Sequence, residues 1–282
     1  MHPQRKKTIF LTLFVLTASA IAGAAAFVWS GVYNVAASSQ HTQPVYWLLE
    51  RAMLQSVQLR ARDIEPPPLT APEMFEHGAA CYRASCEQCH GGPGVAQHDI
   101  ALGMQPVPGP LMDASTRWKS RELYWITRHG ITMSGMPAWK FQLSEHDTWS
   151  LVAFIERLPQ LSPLQYGAVM AQQPGRRCGT SEEHTPGDFQ ADPARGRNAM
   201  SQYACNGCHR IPGLTGPEVY VGPPLAGMAR RLLIAGEIAN TPDNMVRWLR
   251  APQSVDPLTA MPDLRITERD ARDMAAYLQT LL

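Results

Sequence analysis

The sequence predicts a mainly α-helical protein in which an N-terminal transmembrane helix is followed by two similar helical units. Three observations support this fold class: a long uncharged apolar run near the N-terminus, the same succession of helices and motifs in two parts of the chain, and weak strand signals throughout. Of the 282 residues, 45% are hydrophobic and 17% are charged, so the chain can build buried cores. The formal net charge is +1. A dedicated nucleic-acid binder is disfavoured, because such proteins carry a clear excess of basic residues.

The apolar run from Thr8 to Trp29 predicts the transmembrane helix. Its 22 residues carry no charge, and at about 1.5 Å per residue they can cross a hydrocarbon core of about 30 Å. Basic residues occupy positions 5–7, and the next basic residue is Arg51. This distribution of positive charge places the N-terminus in the cytoplasm and the rest of the chain outside.

A cleaved signal peptide is the competing interpretation of the same run. Residues 18–20 (Ala-Ser-Ala) and 24–26 (Ala-Ala-Ala) both resemble the small-residue pattern at cleavage sites. The run is longer than the core of a usual signal peptide, which favours an uncleaved anchor over residues 1–34. In either case the bulk of the chain is exported. In a bacterium this means the oxidising, periplasmic side of the cytoplasmic membrane.

Composition divides the rest of the chain into a spacer, two units and a connection. Residues 35–71 predict a juxtamembrane helix over about 44–62, which could dock on the membrane, on a partner or on the next unit. A stiff Pro-rich stretch follows it. The first unit covers residues 72–160, and the second covers 191–282. The stretch 161–190 is rich in Pro, Gly, Gln and Ser, so we interpret it as a linker.

The same five-residue pattern, Cys-x-x-Cys-His, occurs once in each unit. Its residues are Cys86, Cys89 and His90 in the first unit, and Cys205, Cys208 and His209 in the second. The pattern is typical of c-type haem attachment: two thiols form thioether links to the haem vinyl groups, and the histidine supplies an axial nitrogen. A Cys₄ zinc site or a redox dithiol would not explain a histidine directly after both cysteine pairs.

Methionines downstream of each pattern are the candidates for the sixth iron ligand. A haem that only carries electrons keeps six ligands, and a thioether sulfur favours ferrous iron. In the first unit the candidate is Met136, because Gly135 lets the backbone pass close to the ring and Pro137 fixes the turn. Met133 and His129 are the alternatives there.

In the second unit the candidate is Met261, which again precedes a proline. Met228 and Met245 are the alternatives, although both lie in predicted helices. A lone methionine usually fills a core, but the repeated Met-Pro step at equivalent places favours a ligand role.

Two cysteines, Cys81 and Cys178, fall outside the repeated pattern. Leftover thiols often pair in an oxidising compartment. We therefore hypothesise a Cys81–Cys178 disulfide that ties the connecting stretch to the first unit.

Both units resemble class I c-type cytochromes, and together they cover about 180 residues. The resemblance is carried by the pentapeptides and by residues that precede and follow them: Gly78 and Tyr82 before Cys86, Gly196, Met200 and Tyr203 before Cys205, and the closing helices around Phe154 and Tyr277. It implies that Tyr82 packs on the first closing helix. The Gly-to-Cys spacing is one residue longer in the second unit, so the helix packing could differ in register there.

The family resemblance also implies a carbonyl acceptor for each ligand histidine. In class I cytochromes a proline carbonyl accepts the Nδ1–H of the histidine, which orients the ring. By resemblance this role falls to Pro223 in the second unit and to Pro110 in the first.

The second unit is also similar to the haem-c domain fused to subunit II of some cytochrome c oxidases. The matching stretches include Gly222-Pro-Pro-Leu225, Arg247-Trp-Leu249 and Ala260-Met-Pro262. The dinuclear copper motif of that subunit is absent from the sequence. The resemblance implies transfer of electrons towards such an oxidase, by analogy from one domain.

These resemblances imply an electron carrier, not an enzyme, with two covalently bound haem c groups. The expected partners are membrane lipid and a redox protein: a quinol–cytochrome c reductase, a dehydrogenase or a terminal oxidase. One alternative is a dihaem enzyme of the peroxidase or thiosulfate-oxidising type, which needs an open sixth site on one iron. Another is an obligate cytochrome subunit of a membrane dehydrogenase or oxidase complex.

Overall fold

The computed structural model describes residues 3–173, 178 and 190–282. They are mainly helical and form two compact units, one of residues 1–137 and 147–176 and the other of residues 138–146 and 177–282. The helices of the first part of the chain are α1 (Pro3–Ser30), α2 (Gln43–Ala61), α3 (Pro72–Ser85), α4 (Glu87–His90), α5 (Asp99–Leu102), α6 (Ala114–Arg117), α7 (Ser120–His129), α8 (Glu145–Arg157) and α9 (Pro163–Ala171).

The later part of the chain contains three α-helices and a short hairpin. They are α10 (Pro193–Gln202), β1 (Leu233–Ile234), β2 (Ile238–Ala239), α11 (Pro242–Arg250) and α12 (Glu268–Leu278). The two strands pair antiparallel, with Leu233 opposite Ala239. Short 3₁₀ turns join the helices at Leu111–Asp113, Trp139–Phe141, Leu158–Gln160, Cys205–Gly207, Met228–Arg230 and Pro252–Ser254.

Helix α1 is apolar on all sides. Within the described residues it is the one helix long and apolar enough to cross a membrane, over Gln4–Ser30, and its most apolar stretch is not buried against the described protein. Large side chains such as Phe10 and Trp29 are exposed. Length and composition fit either a membrane span or a signal sequence.

Helix α2 is the predicted juxtamembrane helix, and it packs on the first unit. Pro44 lies in its first turn, and Val57 and Ala61 are buried. The helix contacts α7, and Glu50 forms an ion pair of 3.2 Å with Arg117. Of the three surfaces on which this helix could dock, the structure shows packing on the unit that follows it.

The first unit is organised around the crossing of α3 and α8. At Gly78 a Cβ atom would lie 2.0 Å from the carbonyl oxygen of Ser150, so the two backbones are in direct contact. One turn further on, the rings of Tyr82 and Phe154 lie 5.1 Å apart, as the resemblance implied. Tyr82 and Phe154 are both fully buried.

The second unit repeats this crossing with α10 and α12. A Cβ atom at Gly196 would lie 1.9 Å from the carbonyl oxygen of Asp273. The longer spacing to the cysteines leaves the crossing point unchanged, because α10 ends at Gln202 and Ala204 adopts a left-handed conformation with φ 55°. The additional residue is therefore absorbed between the helix and Cys205.

The interpretation of residues 161–190 as a linker is partly wrong, because this stretch contains helix α9. Tyr166 in this helix is fully buried, and α9 packs on α3. Ser162 and Gln165 cap the helix reciprocally at its N-terminus. Residues 161–173 therefore belong to the first unit, while 174–177 and 179–189 lie outside the described residues.

Candidate functional site

The first pentapeptide forms a single turn of helix directly after α3. Cys86 is the last residue of the capping turn of α3, and α4 begins at Glu87. The amide N–H groups of Cys89 and His90 donate to the carbonyl of Cys86 at 3.0 and 2.9 Å. This turn places two cysteines three residues apart on one side of the chain, with the histidine next to them.

The second pentapeptide forms a similar turn, but the backbone that leads into it differs. Here Cys205 begins a 3₁₀ turn after the left-handed Ala204. The amide of His209 donates to the carbonyl of Cys205 at 2.9 Å, and that of Cys208 donates to the same carbonyl at 3.2 Å. The two patterns therefore present their thiols and imidazoles in corresponding positions of the fold.

The six cysteines divide into two chemical groups. Those of the pentapeptides are free thiols, whereas Cys81 and Cys178 are disulfide-bonded, in agreement with the hypothesis that the leftover pair is oxidised. Burial raises the pKa of Cys86 to about 12 and that of Cys205 to about 11. Burial therefore favours the protonated thiol over the thiolate at both positions.

The histidine of each pentapeptide is oriented by one backbone carbonyl. Nδ1 of His209 lies 2.7 Å from the carbonyl oxygen of Pro223, the contact that the resemblance implied. Nδ1 of His90 lies 2.7 Å from the carbonyl oxygen of Gly109. In both units Nδ1 is engaged, which leaves Nε2 for a metal. Burial lowers the pKa of His90, which favours the neutral ring that binds iron.

The acceptor in the first unit corrects the assignment of Pro110. The two loops correspond when Leu111 is aligned with Leu225, because this alignment pairs Gly109 with Pro223. Aligning proline with proline shifts the register by one residue. A carbonyl acceptor needs no particular side chain, so the path of the chain, and not the residue type, decides which residue supplies it.

The loop at Gly222 forms a cradle for the second histidine. A Cβ atom at this position would lie 2.4 Å from Cε1 and 2.7 Å from Nδ1 of His209. The Gly222 amide donates to the carbonyl of Cys208 at 2.8 Å, which holds the loop against the pentapeptide. Gly222 belongs to the Gly-Pro-Pro-Leu stretch of the second unit, but its role beside His209 was not predicted from the sequence.

The surroundings of the pentapeptides fit a covalently attached haem. In the second unit the groups available to a haem are two free thiols and one imidazole. The hydrogen bond to the carbonyl engages Nδ1 of this imidazole and not Nε2. A cavity of about 430 Å³ opens beside the imidazole of the second unit, and its lining includes His209, Ile211, Leu214, Pro217, Pro224 and Ala226. The lining is thus apolar in large part, and it also includes the charged Arg210 and Glu218.

The two candidate methionine ligands lie in loops of the same local structure. The amide of Met136 donates to the hydroxyl of Ser134 at 3.3 Å, and the amide of Met261 donates to the hydroxyl of Thr259 at 3.3 Å. Both methionines are partly buried. A hydroxyl residue stands two positions before each Met-Pro step. This repeated spacing is a further sequence signal that the two loops have the same local structure.

The competing methionines lie in different environments. Met228 and Met245 are buried in the core of the second unit. Met133 is 94% exposed and has a positive φ of 62°. The sulfur of Met104, a residue that sequence reasoning missed, packs against Gly135, 3.3 Å from the place of its absent Cβ. Met136 and Met261 thus remain the candidates at loop positions.

A group of His77, Cys81 and Asp147 also brings metal-ligating atoms together. These atoms lie within 4.8 Å of one another, and Nε2 of His77 is 2.5 Å from the Asp147 carboxylate. Since Cys81 is disulfide-bonded, its sulfur is not a thiolate ligand. The His77–Asp147 pair therefore joins α3 to α8.

Comparison with known proteins gives a separate family match for each unit. Residues 73–155 match the family described as cytochrome C oxidase, cbb3-type, subunit III, and residues 193–282 match cytochrome c. Over 90 residues the chain is 34% identical to cytochrome c oxidase subunit 2 of Alkalihalophilus pseudofirmus, which covers 31% of this chain and 25% of that relative. The chain thus spans about a quarter of the relative's length. No solved structure matches the chain.

The family matches coincide with the two units that carry the pentapeptides, and each match includes one complete Cys-x-x-Cys-His pattern. Cytochrome c domains bind haem c and transfer electrons. The chain therefore contains two cytochrome c domains, which support haem c as its cofactor and electron transfer as its role.

Proposed function

We propose that this chain is a membrane-anchored dihaem c-type cytochrome that carries electrons on the periplasmic side of a bacterial cytoplasmic membrane, towards a terminal oxidase. The observation that carries the proposal is the repeated histidine geometry: in each unit the pentapeptide imidazole has its Nδ1 2.7 Å from a backbone carbonyl. Two such sites in one chain suit an electron relay. The family description of the first unit and the relative's name support an oxidase as the destination.

The residues of the two sites divide the work of holding a haem. Haem c supplies the one-electron chemistry when it is bound. Four cysteines would hold it covalently: Cys86 and Cys89 in the first unit, and Cys205 and Cys208 in the second. His90 and His209 would bind the iron through Nε2. Met136 and Met261 would close the opposite face, and the buried helix crossings keep the ligand loops in place.

Covalent attachment and its stoichiometry test the proposal. We expect the mature chain, boiled in denaturant and extracted with acidified organic solvent, to keep its colour and to contain two haem groups. Replacing both cysteines of one pentapeptide by serine, in the pair Cys86 and Cys89 or in the pair Cys205 and Cys208, should remove one haem. A colourless chain after extraction would overturn the proposal.

A subunit role is the second candidate function. It is favoured by one observation: the family that matches the first unit and the relative that is 34% identical over 90 residues are both described as oxidase subunits. Solubilisation in mild detergent, followed by native purification and identification of co-purifying proteins, separates the two functions. A stoichiometric oxidase core would favour the subunit, and a chain that purifies alone with both haems would favour the free carrier.

The absence of catalysis is also part of the proposal. A peroxidase or thiosulfate-oxidising enzyme needs an iron with an open or exchangeable sixth site. We therefore expect both haems to be low-spin in the resting ferric protein and to bind no carbon monoxide when reduced. A high-spin ferric signal in the intact chain would favour the enzyme instead.

A further inference from the structure

We propose that Tyr166 is a positioning residue for the first haem site. Its hydroxyl fixes the Glu87 carboxylate inside the first pentapeptide, and through that carboxylate it sets the reduction potential of the haem in this unit. This inference rests on the proposed function, because it concerns the haem that the function requires.

The contact between Tyr166 and the attachment turn is direct and partly buried. The tyrosine hydroxyl donates to Oε1 of Glu87 at 2.6 Å, and Tyr166 is fully buried. Its ring packs on Gly92, where a Cβ atom would lie 2.3 Å from Cζ of the tyrosine. On the same turn, the hydroxyl of Tyr82 donates to the carbonyl of Gly91 at 2.8 Å. Two tyrosine hydroxyls therefore hold the start and the end of the turn.

Helix α9 holds Tyr166 firmly although it lies beyond the part of the first unit that matches the cbb3-type family, residues 73–155. The guanidinium of Arg83 donates to the carbonyl of Met170. Pro163 packs on Gly94, with 2.8 Å between its Cβ and the place of the absent Cβ. The helix is thus an addition that contacts both α3 and the loop after His90.

The negative charge of Glu87 lies next to an attachment cysteine. The contact with Tyr166 therefore affects the electrostatic potential at the haem. A carboxylate near the iron favours the ferric state, because it attracts the additional positive charge. Burial and the bond to Glu87 raise the pKa of Tyr166, so its hydroxyl stays protonated and donates. The donated bond offsets part of the carboxylate charge. Without it, the ferric state would gain further stability.

The second unit provides an internal control, because its corresponding residue is neutral. Asn206 follows Cys205 in the place of Glu87, and its amide donates to the carbonyl of Thr215 at 3.4 Å. A change at Tyr166 should therefore alter one haem and leave the other as it is.

The test is a redox titration of the haem-loaded full chain carrying Tyr166→Phe, which keeps the ring and removes the hydroxyl. We expect a lower midpoint potential for the first haem and no change for the second. Glu87→Gln should raise the first potential, and adding Tyr166→Phe to it should produce no further fall. The control is Tyr277→Phe, whose hydroxyl donates to the Pro212 carbonyl in the second unit.

The outcomes separate this inference from the proposed function. If Tyr166→Phe retains two low-spin covalent haems and both potentials are unchanged, the positioning role is overturned while the cytochrome function stands. If Tyr166→Phe loses its first haem, the test depends on Glu87→Gln. An unchanged midpoint potential of the first haem in Glu87→Gln then overturns the inference. Absence of covalent haem in the unaltered chain would instead overturn the function itself.

Discussion

Met136 and Met261 have the same local backbone, with a hydroxyl residue two positions before and a proline directly after. We expect Met136→Ala to convert one haem to the high-spin state and to leave the other low-spin, because the alanine removes one iron ligand and the second unit has its own. Met261→Ala should produce the complementary change. Electronic absorption and electron paramagnetic resonance of the ferric protein measure the two states.

Two methionines near the same loops serve as matched controls. Met133 is 94% exposed and Met245 is buried in the second core, so neither Met133→Ala nor Met245→Leu should change the spin state. A high-spin signal from Met133→Ala together with an unaltered Met136→Ala spectrum would reassign the first ligand.

The Gly222 cradle predicts a steric defect confined to the second haem. A methyl group there would lie 2.4 Å from Cε1 of His209, so Gly222→Ala must displace the ring, the loop or both. We expect it to lower haem incorporation in the second unit or to broaden its low-spin signal. The control is Gly207→Ala, because Gly207 lies inside the second pentapeptide and has nothing within 4 Å of the place of its absent Cβ. If both variants incorporate haem equally, the cradle has no functional role.

Among single residues, side-chain functions gave a clearer sequence signal than backbone functions, although the family resemblance did imply the Pro223 carbonyl. The sequence identifies the cysteines and histidines because a thioether and an iron bond need those side chains. It places the acceptor carbonyl of the first unit at Pro110, whereas Gly109 supplies it. Similarly, Gly222 acts by having no side chain, so composition alone carries little signal for it.

At the scale of elements, the crossing of α3 and α8 depends on the absence of a side chain at Gly78. The place of its Cβ lies 2.0 Å from the Ser150 oxygen. Gly78→Ala should therefore destabilise the first unit by at least about 1–3 kcal/mol, although alanine is the better helix former.

Gly167 provides the matched control for the helix crossing. It lies in α9 with nothing near its absent Cβ, so Gly167→Ala should raise stability by about 0.5–1 kcal/mol. Thermal or denaturant unfolding of the haem-loaded chain measures both effects. Equal and stabilising effects of the two substitutions would show that the crossing is not close-packed in solution.

The ion pairs between α10 and α12 predict a pH-dependent defect. Arg195 binds the buried carboxylates of Asp270 and Asp273 at 2.7 and 3.1 Å. Arg195→Met removes the cation that both buried carboxylates share, which should cost about 3 kcal/mol. The cost is limited because Asp270 keeps the hydroxyls of Tyr203 and Thr267. Asp273 likewise keeps the amide of Asp192. Arg197→Met, at an exposed neighbour that binds the Gly213 carbonyl, should cost much less.

The sign of the pH dependence follows from the carboxyl groups. Desolvation already raises the pKa of Asp273 in the folded state, and loss of Arg195 raises it further. A raised folded pKa means that protonation favours the folded state, so stability increases as the pH falls through that pKa. The defect of Arg195→Met should hence be larger at pH 8 than at pH 5. Denaturant unfolding at the two pH values measures it, and a defect that grows on acidification would contradict the assignment.

Apolar patterning predicted α1 and α2, and the family resemblance implied that Tyr82 packs on the closing helix of the first unit. Helix α9 was missed because its surroundings are rich in Pro, Gly, Gln and Ser, a composition typical of linkers. The Ser162-Pro-Leu-Gln165 sequence is a capping box with proline in the first turn, and this signal would have found it. The burial of Tyr166, by contrast, depends on long-range packing that a local pattern does not contain.

At the scale of the whole molecule, the N-terminal helix decides where the two cytochrome c domains operate. Its most apolar stretch is not buried against the described residues, so the apolar surface of α1 needs a membrane or removal. We expect an uncleaved anchor: the mature chain should begin upstream of Ala18 and stay in the membrane pellet after an alkaline carbonate wash. N-terminal sequencing and fractionation measure this.

The signal-peptide alternative makes the opposite prediction, and one variant with four substitutions separates the two. Cleavage would depend on the small residues at 18–20 and 24–26, so replacing Ala18, Ala20, Ala24 and Ala26 together by leucine should block it. If the helix is an uncleaved anchor, this variant and the original chain have the same number of residues and the same membrane attachment. If the original chain is shorter than the variant and is released by carbonate, the helix is a signal sequence. The domains would then reach their redox partner by diffusion in three dimensions, because an anchored chain is confined to encounters within the plane of the membrane.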